Sequence, residues 1–269
     1  MPSIKVKNRA IRQWAERQLA DYDAHQPGSI FRQGADFLTV QQAYRLQLEV
    51  ARLRQNRGEG LAGYKVGCTS PAIQKQFGLD QPVFAHLFAS EQHRTGAVLD
   101  SDRYECLAIE GEFAFRIRED IPSRAWLRRH AREAIASAFP VVELHNYVFR
   151  TKPPTTTELV ASNALHVGVV LPLQEFPLDD PRELIEEEVT VFRNSQSLGV
   201  ATGREIPHGP FGSLLWLADR LRLFGTHLQR DQIVLAGSSL PLFPVQKKDA
   251  YLVKCSRLGL VECTIGKRS

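Results

Sequence analysis

Two glutamates separated by one residue, Glu110 and Glu112, are the first candidates for chemistry in the sequence. The stretch 105–117 alternates with period two, so both side chains project from one face of a predicted strand, and Gly111 and the flanking alanines leave space above the backbone. By strand rise the two carboxylates are roughly 7 Å apart. They either face water or bind a cation between them, and oxygen ligands favour Mg²⁺ or Mn²⁺. The opposite face carries the apolar side chains that we expect in the core: Leu107, Ile109, Phe113, Phe115 and Ile117.

A third carboxylate, Glu143, lies in the apolar stretch 140–147, which has the composition of a strand. An acid between Val142 and Leu144 is not expected to be buried without a partner. Glu110, Glu112 and Glu143 together would provide a three-carboxylate metal site with positions left for water and substrate. Three acids in apolar strands make a solvated surface the weaker interpretation.

Lys65 is the cationic candidate. It lies in the stretch 61–70, which reads as a short strand that runs into a turn. A lysine among glycine and apolar residues lies either at a sheet edge or in a polar site, where it forms a salt bridge with an acid or relays a proton. Residues 70–95 are expected to form a lid, and a lone histidine there, His86, is more typical of a structural residue than of a catalyst.

The elements that must position these residues are helices, which begin the chain, and strands, which predominate after them. Hydrophobic spacing predicts helices over 8–24, from an N-cap at Thr39 to about 57, from Ser123 to about 138, and over 209–224. The strands do not alternate regularly with helices, which favours an α+β, β-rich mixed-sheet sandwich over a Rossmann fold. A helical segment, 1–60, is expected to pack on a catalytic core, 61–269. Its strand 231–238 ends in a small polar turn whose donors suit a carboxylate.

Composition limits the functional classes. The 269 residues are 43% hydrophobic and 24% charged, and no apolar run has the length of a membrane span. The net charge of +4 is too small to indicate a nucleic-acid partner but suits a small anionic substrate. The first residues lack the apolar core of a signal peptide, and the four cysteines have no CxxC spacing. We therefore expect a cytoplasmic protein with reduced, buried thiols, neither inserted in a membrane nor bound to nucleic acid.

Six stretches, in one order, resemble the motifs of a known family. They are Gly63-Tyr64-Lys65-Val66-Gly67-Cys68-Thr69-Ser70, Leu79-Asp80-Gln81-Pro82, Glu110-Gly111-Glu112, Pro140-Val141-Val142-Glu143, the helix over 209–219 and the strand over 231–238. Over nearly the whole chain, the sequence is similar to the 2-keto-4-pentenoate hydratases and related 2-oxo acid decarboxylases of the fumarylacetoacetate hydrolase superfamily.

This resemblance implies a β-rich sandwich or roll of the fumarylacetoacetate hydrolase C-terminal type with N-terminal helices. It also implies a Mg²⁺ or Mn²⁺ site, homo-oligomers, and a small 2-oxo or 2-hydroxy acid substrate from meta-cleavage of aromatic compounds. The residues it places in the active site are the metal ligands Glu110, Glu112 and Glu143 and the catalytic residues Lys65 and Asp80. The expected substrate contacts are Ser70, His166 and Ser238.

The sequence also departs from the family pattern. Where many hydratases have D-N-A-S-S, it has Ser162-Asn163-Ala164-Leu165-His166, so a serine that helps to anchor substrate is missing. His166 either takes its place or points elsewhere. Arg204 and His208 occupy positions where better-known members have small residues, which predicts a changed cavity.

Three activities are compatible with these residues, and a non-catalytic role is the alternative to them. The leading hypothesis is metal-dependent hydration of a 2-hydroxy-2,4-dienoate to a 4-hydroxy-2-oxo acid. The same metal chelate would serve decarboxylation of a 2-oxo-3-enedioate. An acylpyruvate hydrolase would need a general base, for which His86, His93 and His166 are the candidates. A non-catalytic scaffold in an oligomer would have no reason to keep the lysine and the three acids.

Overall fold

The structure is a computed structural model that describes residues 8–33, 38–149 and 154–267. Residues 1–7, on which the expectation about a signal peptide depends, lie outside the described residues. Within the described ranges, no helix combines the length and the apolar character needed to cross a membrane.

Long helices dominate the first quarter of the chain, and apart from the 14-residue α7 the later described α-helices have four to six residues. They are α1 (Asn8–Asp23), α2 (Val40–Asn56), α3 (Pro71–Gln76), α4 (Arg124–Arg129), α5 (Ala131–Ala134), α6 (Thr156–Ala161) and α7 (Gly209–Arg222). The predicted N-cap of α2 is confirmed, since Thr39 and Gln42 form a reciprocal capping box that satisfies two N–H groups at the helix start. Gln47 of α2 donates to the carbonyls of Phe84 and Val160, which ties this helix to the core.

The strands follow one another from residue 61 to residue 265. They are β1 (Leu61–Gly67), β2 (Val83–Phe88), β3 (Gln92–Arg94), β4 (Ala97–Leu99), β5 (Leu107–Ile117), β6 (Ile135–Asn146), β7 (His166–Leu171), β8 (Glu188–Arg193), β9 (Gln196–Thr202), β10 (Ile233–Ser238), β11 (Phe243–Pro244), β12 (Ala250–Cys255) and β13 (Leu260–Ile265).

These strands form two mixed sheets. The larger sheet has the order β2-β1-β10-β5-β6-β7-β3, with β11 also paired to β5, and the smaller has the order β4-β13-β12-β8-β9. Parallel pairs such as β1 with β10 occur beside antiparallel pairs such as β5 with β6. The prediction of an α+β, β-rich mixed-sheet fold is confirmed. The division at residue 60 stays a prediction.

The two faces of β5 have the roles that its alternation predicts. Its apolar face lies in the main core with Val191 of β8 and Val253 of β12. Gly111, however, does not leave space beside the acids as expected, because it faces the second sheet from the opposite side of β5. A Cβ on Gly111 would lie 2.6 Å from Val191 and 3.1 Å from Val253, so glycine is needed for contact with the second sheet and not for access to the acids.

Two expectations about secondary structure are wrong. The helix predicted from Ser123 to about residue 138 ends at Ala134, because Ile135 begins β6 and pairs with β5. A lid over the whole of 70–95 is also wrong, since β2 is buried along its whole length and pairs with β1. A lid formed by residues 70–82 stays a prediction. In the segment after Ser123, which is rich in alanine and arginine, pairing of β6 with β5 overrides the local preference for a helix.

The cysteines are free, as expected, but they are not all buried. Cys255 and Cys263 lie in the core, Cys68 is half-buried, and Cys106 is exposed just before β5. Burial raises the pKa of the Cys263 thiol to about 12, so this residue is a packing group and not a nucleophile.

Gly111→Ala should lower the free energy of unfolding by about 1–3 kcal/mol, because the new methyl group would overlap Val191 at the contact between the sheets. Denaturant unfolding measures the change. Gly60→Ala is the control, because the nearest atom to its Cβ is 3.8 Å away. Equal stability of the two variants would contradict the close sheet contact at Gly111.

Candidate active site

The pairing of β5 with β6 brings two of the predicted acids together. Glu110 lies directly opposite Glu143 in the antiparallel register, and Glu112 lies opposite Val141. In the same sheet β1 pairs with β10 and β10 with β5, and this order carries Lys65 to the same face. The carboxylates of Glu143 and Glu112 are buried, whereas that of Glu110 is partly exposed. The face is therefore accessible to solvent at Glu110.

Lys65 and Glu143 form a fully buried ion pair. The Nζ of Lys65 lies 2.9 Å from Oε1 of Glu143, and the two side chains are 3% and 0% exposed. Burial lowers the pKa of Lys65, but the charges of Glu143, Glu110 and Glu112 outweigh it and leave the pKa raised. Lys65 is thus held as a cation, and a neutral lysine base is not the state that this environment stabilises.

Two histidines also contact Glu143. The Nδ1 of His166 lies 2.7 Å from Oε1 of Glu143, and the Nε2 of His145 lies 3.2 Å from Oε2. Burial alone would raise the pKa of Glu143, but His145 and Lys65 outweigh it, and the pKa is held well below its ordinary value. His145 was missed in the sequence. The signal was available, because period two places a residue two positions after Glu143 on the same face.

His166 reaches the site through an unusual turn. Asn163, Ala164 and Leu165 all have positive φ, of 54°, 47° and 70°. Asn163 holds this turn against β2, because its side chain accepts from the N–H of His86 and donates to the carbonyl of the same residue. Consecutive non-glycine residues in the left-handed region are costly and persist where surrounding contacts fix them, often at functional sites.

The donor atoms that converge among the described residues come from Glu110, Glu143 and His145. One ligand atom from each lies within 4.8 Å of the others, so this group could hold a metal ion. The Nε2 of His145 lies 3.0 Å from Oε2 of Glu110. Burial lowers the pKa of His145, but the carboxylate of Glu143 reverses the shift and raises it.

Glu112 lies beside this group. Burial and the negative charges of Glu143 and Glu110 raise its pKa well above the ordinary value. Its Oε2 accepts a hydrogen bond of 2.9 Å from the N–H of Gly237 at the end of β10. Gly237 has φ +94°, and a Cβ there would lie 2.6 Å from Thr69, so only glycine brings this N–H to the carboxylate. The role of Glu112 as a metal ligand stays a prediction.

The other predicted residues are exposed or already hydrogen-bonded. Asp80 is exposed in the loop before β2, and Ser70 caps α3 by accepting from the N–H of Ile73. The hydroxyl of Ser238 lies 2.7 Å from the carbonyl of Leu240 and 3.2 Å from that of Gly111. The structure leaves their catalytic and substrate-binding roles as predictions.

A cavity of about 290 Å³ reaches His166 from the side of α1 and α2. Its walls include Tyr22, Arg54, Asn146 and Phe149. Arg204 is not among the lining residues, because it lies on the surface beside Glu186, so the expectation that it changes the cavity is not supported. His86 pairs with Tyr64, and its ring lies on the opposite face of the sheet from Lys65, which removes it as a general base at this site.

The fold places the chain in a known structural class. The structure superposes on the 4-oxalocrotonate decarboxylase of Pseudomonas putida G7, solved with magnesium and adipate, with a TM-score of 0.88 and 21% identity, covering 97% of this chain and 99% of that one. This likeness shows that the fold is of the fumarylacetoacetate hydrolase type. No family model matches the chain.

Sequence similarity defines the family more narrowly. The chain is 30% identical over 222 residues to a 2-keto-4-pentenoate hydratase of Burkholderia vietnamiensis, covering 82% of this chain and 84% of the relative. It is 28% identical over 227 residues to a 2-hydroxyhexa-2,4-dienoate hydratase of Comamonas testosteroni, with the same coverages. The chain belongs to the 2-keto-4-pentenoate hydratase family.

Lys65→Met should lower the free energy of unfolding by about 3 kcal/mol in EDTA, because it leaves the buried Glu143 with one cation fewer. Chemical denaturation measures this loss. Arg12→Met is the control, since it removes one partner of an exposed ion pair with Glu16 and should change stability by no more than about 0.5 kcal/mol. Similar values for both variants would contradict the buried pair.

His86 should make stability depend on pH. Burial lowers its pKa from 6.5 to about 4, while Asn163 opposes and Arg54 adds to the shift. The unfolded chain therefore binds a proton below pH 6.5 that the native protein does not bind until about pH 4, so stability is lost as the pH falls through this window. In His86→Gln, the loss between pH 7 and pH 4.5 should be smaller by about 2 kcal/mol. If the free energy of unfolding of His86→Gln and of the unsubstituted protein changed with pH in the same way, the lowered pKa of His86 would be contradicted.

Proposed function

We propose that the chain is a metal-dependent hydratase that adds water to a 2-hydroxy-2,4-dienoate, such as 2-hydroxypenta-2,4-dienoate, and yields a 4-hydroxy-2-oxo acid. The observation that carries this proposal is the convergence of Lys65, Glu110 and Glu143 on one sheet face in a member of this hydratase family. The names of the two relatives support a dienoate as the substrate.

A divalent cation fits the residues of this face. Oε2 of Glu143 is buried without a hydrogen-bond partner among the described residues, although it faces other polar atoms. Glu110, Glu112 and Glu143 would hold the cation through oxygen atoms, which suits Mg²⁺ or Mn²⁺. When bound, the cation supplies Lewis-acid stabilisation of negative charge on the C2 oxygen of the substrate.

The chain's own residues would supply charge and position. Lys65 keeps its proton at Nζ and presents a positive charge beside the acids, where it can stabilise an enolate. Asp80 is the proposed residue that positions water or moves a proton, and its exposure leaves it accessible to solvent. Glu143 stays ionised because Lys65, His145 and His166 surround it.

The substrate would enter beside His166. The cavity of about 290 Å³ that reaches this residue is large enough for a small organic acid. Nε2 of His166 is buried without a hydrogen-bond partner among the described residues, so it is available to a polar group of the substrate. Ser70 and Ser238 are the further proposed contacts. A homo-oligomer and a cytoplasmic location also stay proposals.

A spectrophotometric assay tests this function. Purified protein should remove the ultraviolet absorbance of freshly generated 2-hydroxypenta-2,4-dienoate with Mg²⁺ or Mn²⁺ but not with EDTA, and the product mass should show one added water. If a folded, metal-loaded protein leaves the dienoate unchanged but releases CO₂ from a 2-oxo-3-enedioate, the hydratase assignment is wrong.

Glu112→Gln tests the third carboxylate. We expect turnover to fall by at least about a hundredfold while the fold is kept, because the amide preserves shape but removes the negative charge at the cation. Asp231→Asn is the matched control, since this exposed acid lies outside the site, and its activity should equal that of the unchanged protein. Full activity of Glu112→Gln would remove Glu112 from the ligand set.

A further inference from the structure

The imidazole of His145 is placed like a metal ligand. Its Nε2 lies 3.0 Å from Oε2 of Glu110 and 3.2 Å from Oε2 of Glu143, yet it forms no hydrogen bond of normal geometry with either oxygen. His145 is 4% exposed, so it is largely shielded from bulk water. A buried nitrogen that lies within 3.2 Å of two carboxylate oxygens and is hydrogen-bonded to neither is available to a cation that the same oxygens bind.

The two oxygens of Glu143 have different partners. Lys65 and His166 both contact Oε1, whereas Oε2 faces His145 and lacks a hydrogen bond among the described residues. Lys65 and His166 thus contact one oxygen of Glu143, and the other oxygen faces His145. This is the division expected if Oε2 is kept for a further cation.

The spacing of the three donors suits coordination. Two ligand atoms at right angles, each about 2.1 Å from an ion, are about 3.0 Å apart. The His145 nitrogen has this separation from one carboxylate oxygen and nearly this separation from the other. Ligand atoms of the three residues all lie within 4.8 Å of one another, so one cation could contact all three.

We propose that His145 is a nitrogen ligand of the cation alongside Glu110 and Glu143, and that it makes the site favour a first-row transition ion such as Mn²⁺ over Mg²⁺. Magnesium is bound through oxygen ligands and water, whereas imidazole nitrogen is a common ligand of transition ions. The inference depends on the proposed function only in assuming that a divalent cation binds this face. With Glu112 as a fourth ligand, two positions of an octahedron stay open for the carboxylate and C2 oxygens of a 2-oxo acid.

Metal binding, measured apart from activity, tests this proposal. The EDTA-stripped full-length protein is titrated with Mn²⁺ and with Mg²⁺ by calorimetry, and the Mn²⁺ complex is examined by pulsed EPR for coupling to histidine nitrogen. We expect Mn²⁺ to bind at least about tenfold more tightly than Mg²⁺, with nitrogen coupling in the spectrum. Labelling with ¹⁵N-histidine should change this coupling.

His145→Gln tests the residue itself, because glutamine can offer an oxygen but no imidazole. It should weaken Mn²⁺ binding by about tenfold, change Mg²⁺ binding by less than about threefold, and abolish the nitrogen coupling. His86→Gln removes a buried histidine on the other sheet face and should leave both affinities and the coupling unchanged. Measurement on the unsubstituted protein keeps the test valid if His145→Gln fails to fold.

A Mn²⁺ spectrum without histidine nitrogen coupling would overturn the proposal and leave His145 as an ion-pair partner of the two acids. Coupling that persists in His145→Gln would also overturn it and point to His166. Turnover of a dienoate without nitrogen coupling contradicts only the ligand assignment. Coupling in a protein that turns over no dienoate supports the assignment and contradicts only the proposed hydratase function.

Discussion

The buried charge of Glu143 is the constraint on which the rest of the site depends. A carboxylate with no exposed surface is stable in the ionised form only if cationic and polar groups surround it, and Lys65, His145 and His166 do so from three strands. Each of these strands must keep its register, because a shift by one residue would turn its side chain to the opposite face. The ionised state of Glu143 therefore depends on the pairing order and the register of the large sheet.

The second sheet makes this requirement possible. Apolar side chains on the far face of β5 and β6 pack against β8 and β12, and the absence of a side chain at Gly111 lets Val191 and Val253 approach. Burial on that face holds the strands in register, so the acids on the near face stay aligned. Hydrophobic packing thus stabilises an arrangement of charges that would repel one another if they were alone.

Much of this arrangement could be predicted from local patterns. Period two placed Glu110 and Glu112 on one face, and the surrounding apolar residues marked Glu143 as an acid that needs a partner. The same reasoning left Lys65 either at a sheet edge or in a polar site. Local patterns do not show which strands are neighbours. The contact of His145 with Glu110 and the packing of Gly111 against the second sheet could therefore be seen only in the tertiary structure. The segment after Ser123 shows the same limit, since its helical composition ends in a strand once β5 is beside it.

The N-terminal helices have a role beyond packing. Gln47 of α2 binds the carbonyls of Phe84 and Val160, and Gln18 of α1 donates to the hydroxyl of Ser162. These contacts and the two hydrogen bonds between Asn163 and His86 fix both sides of the strained turn that leads to His166. Because a left-handed turn of three non-glycine residues is costly, these contacts must outweigh its strain. The helices at the start of the chain thus help to set the position of a histidine at the start of β7, beside the carboxylate on which the site depends.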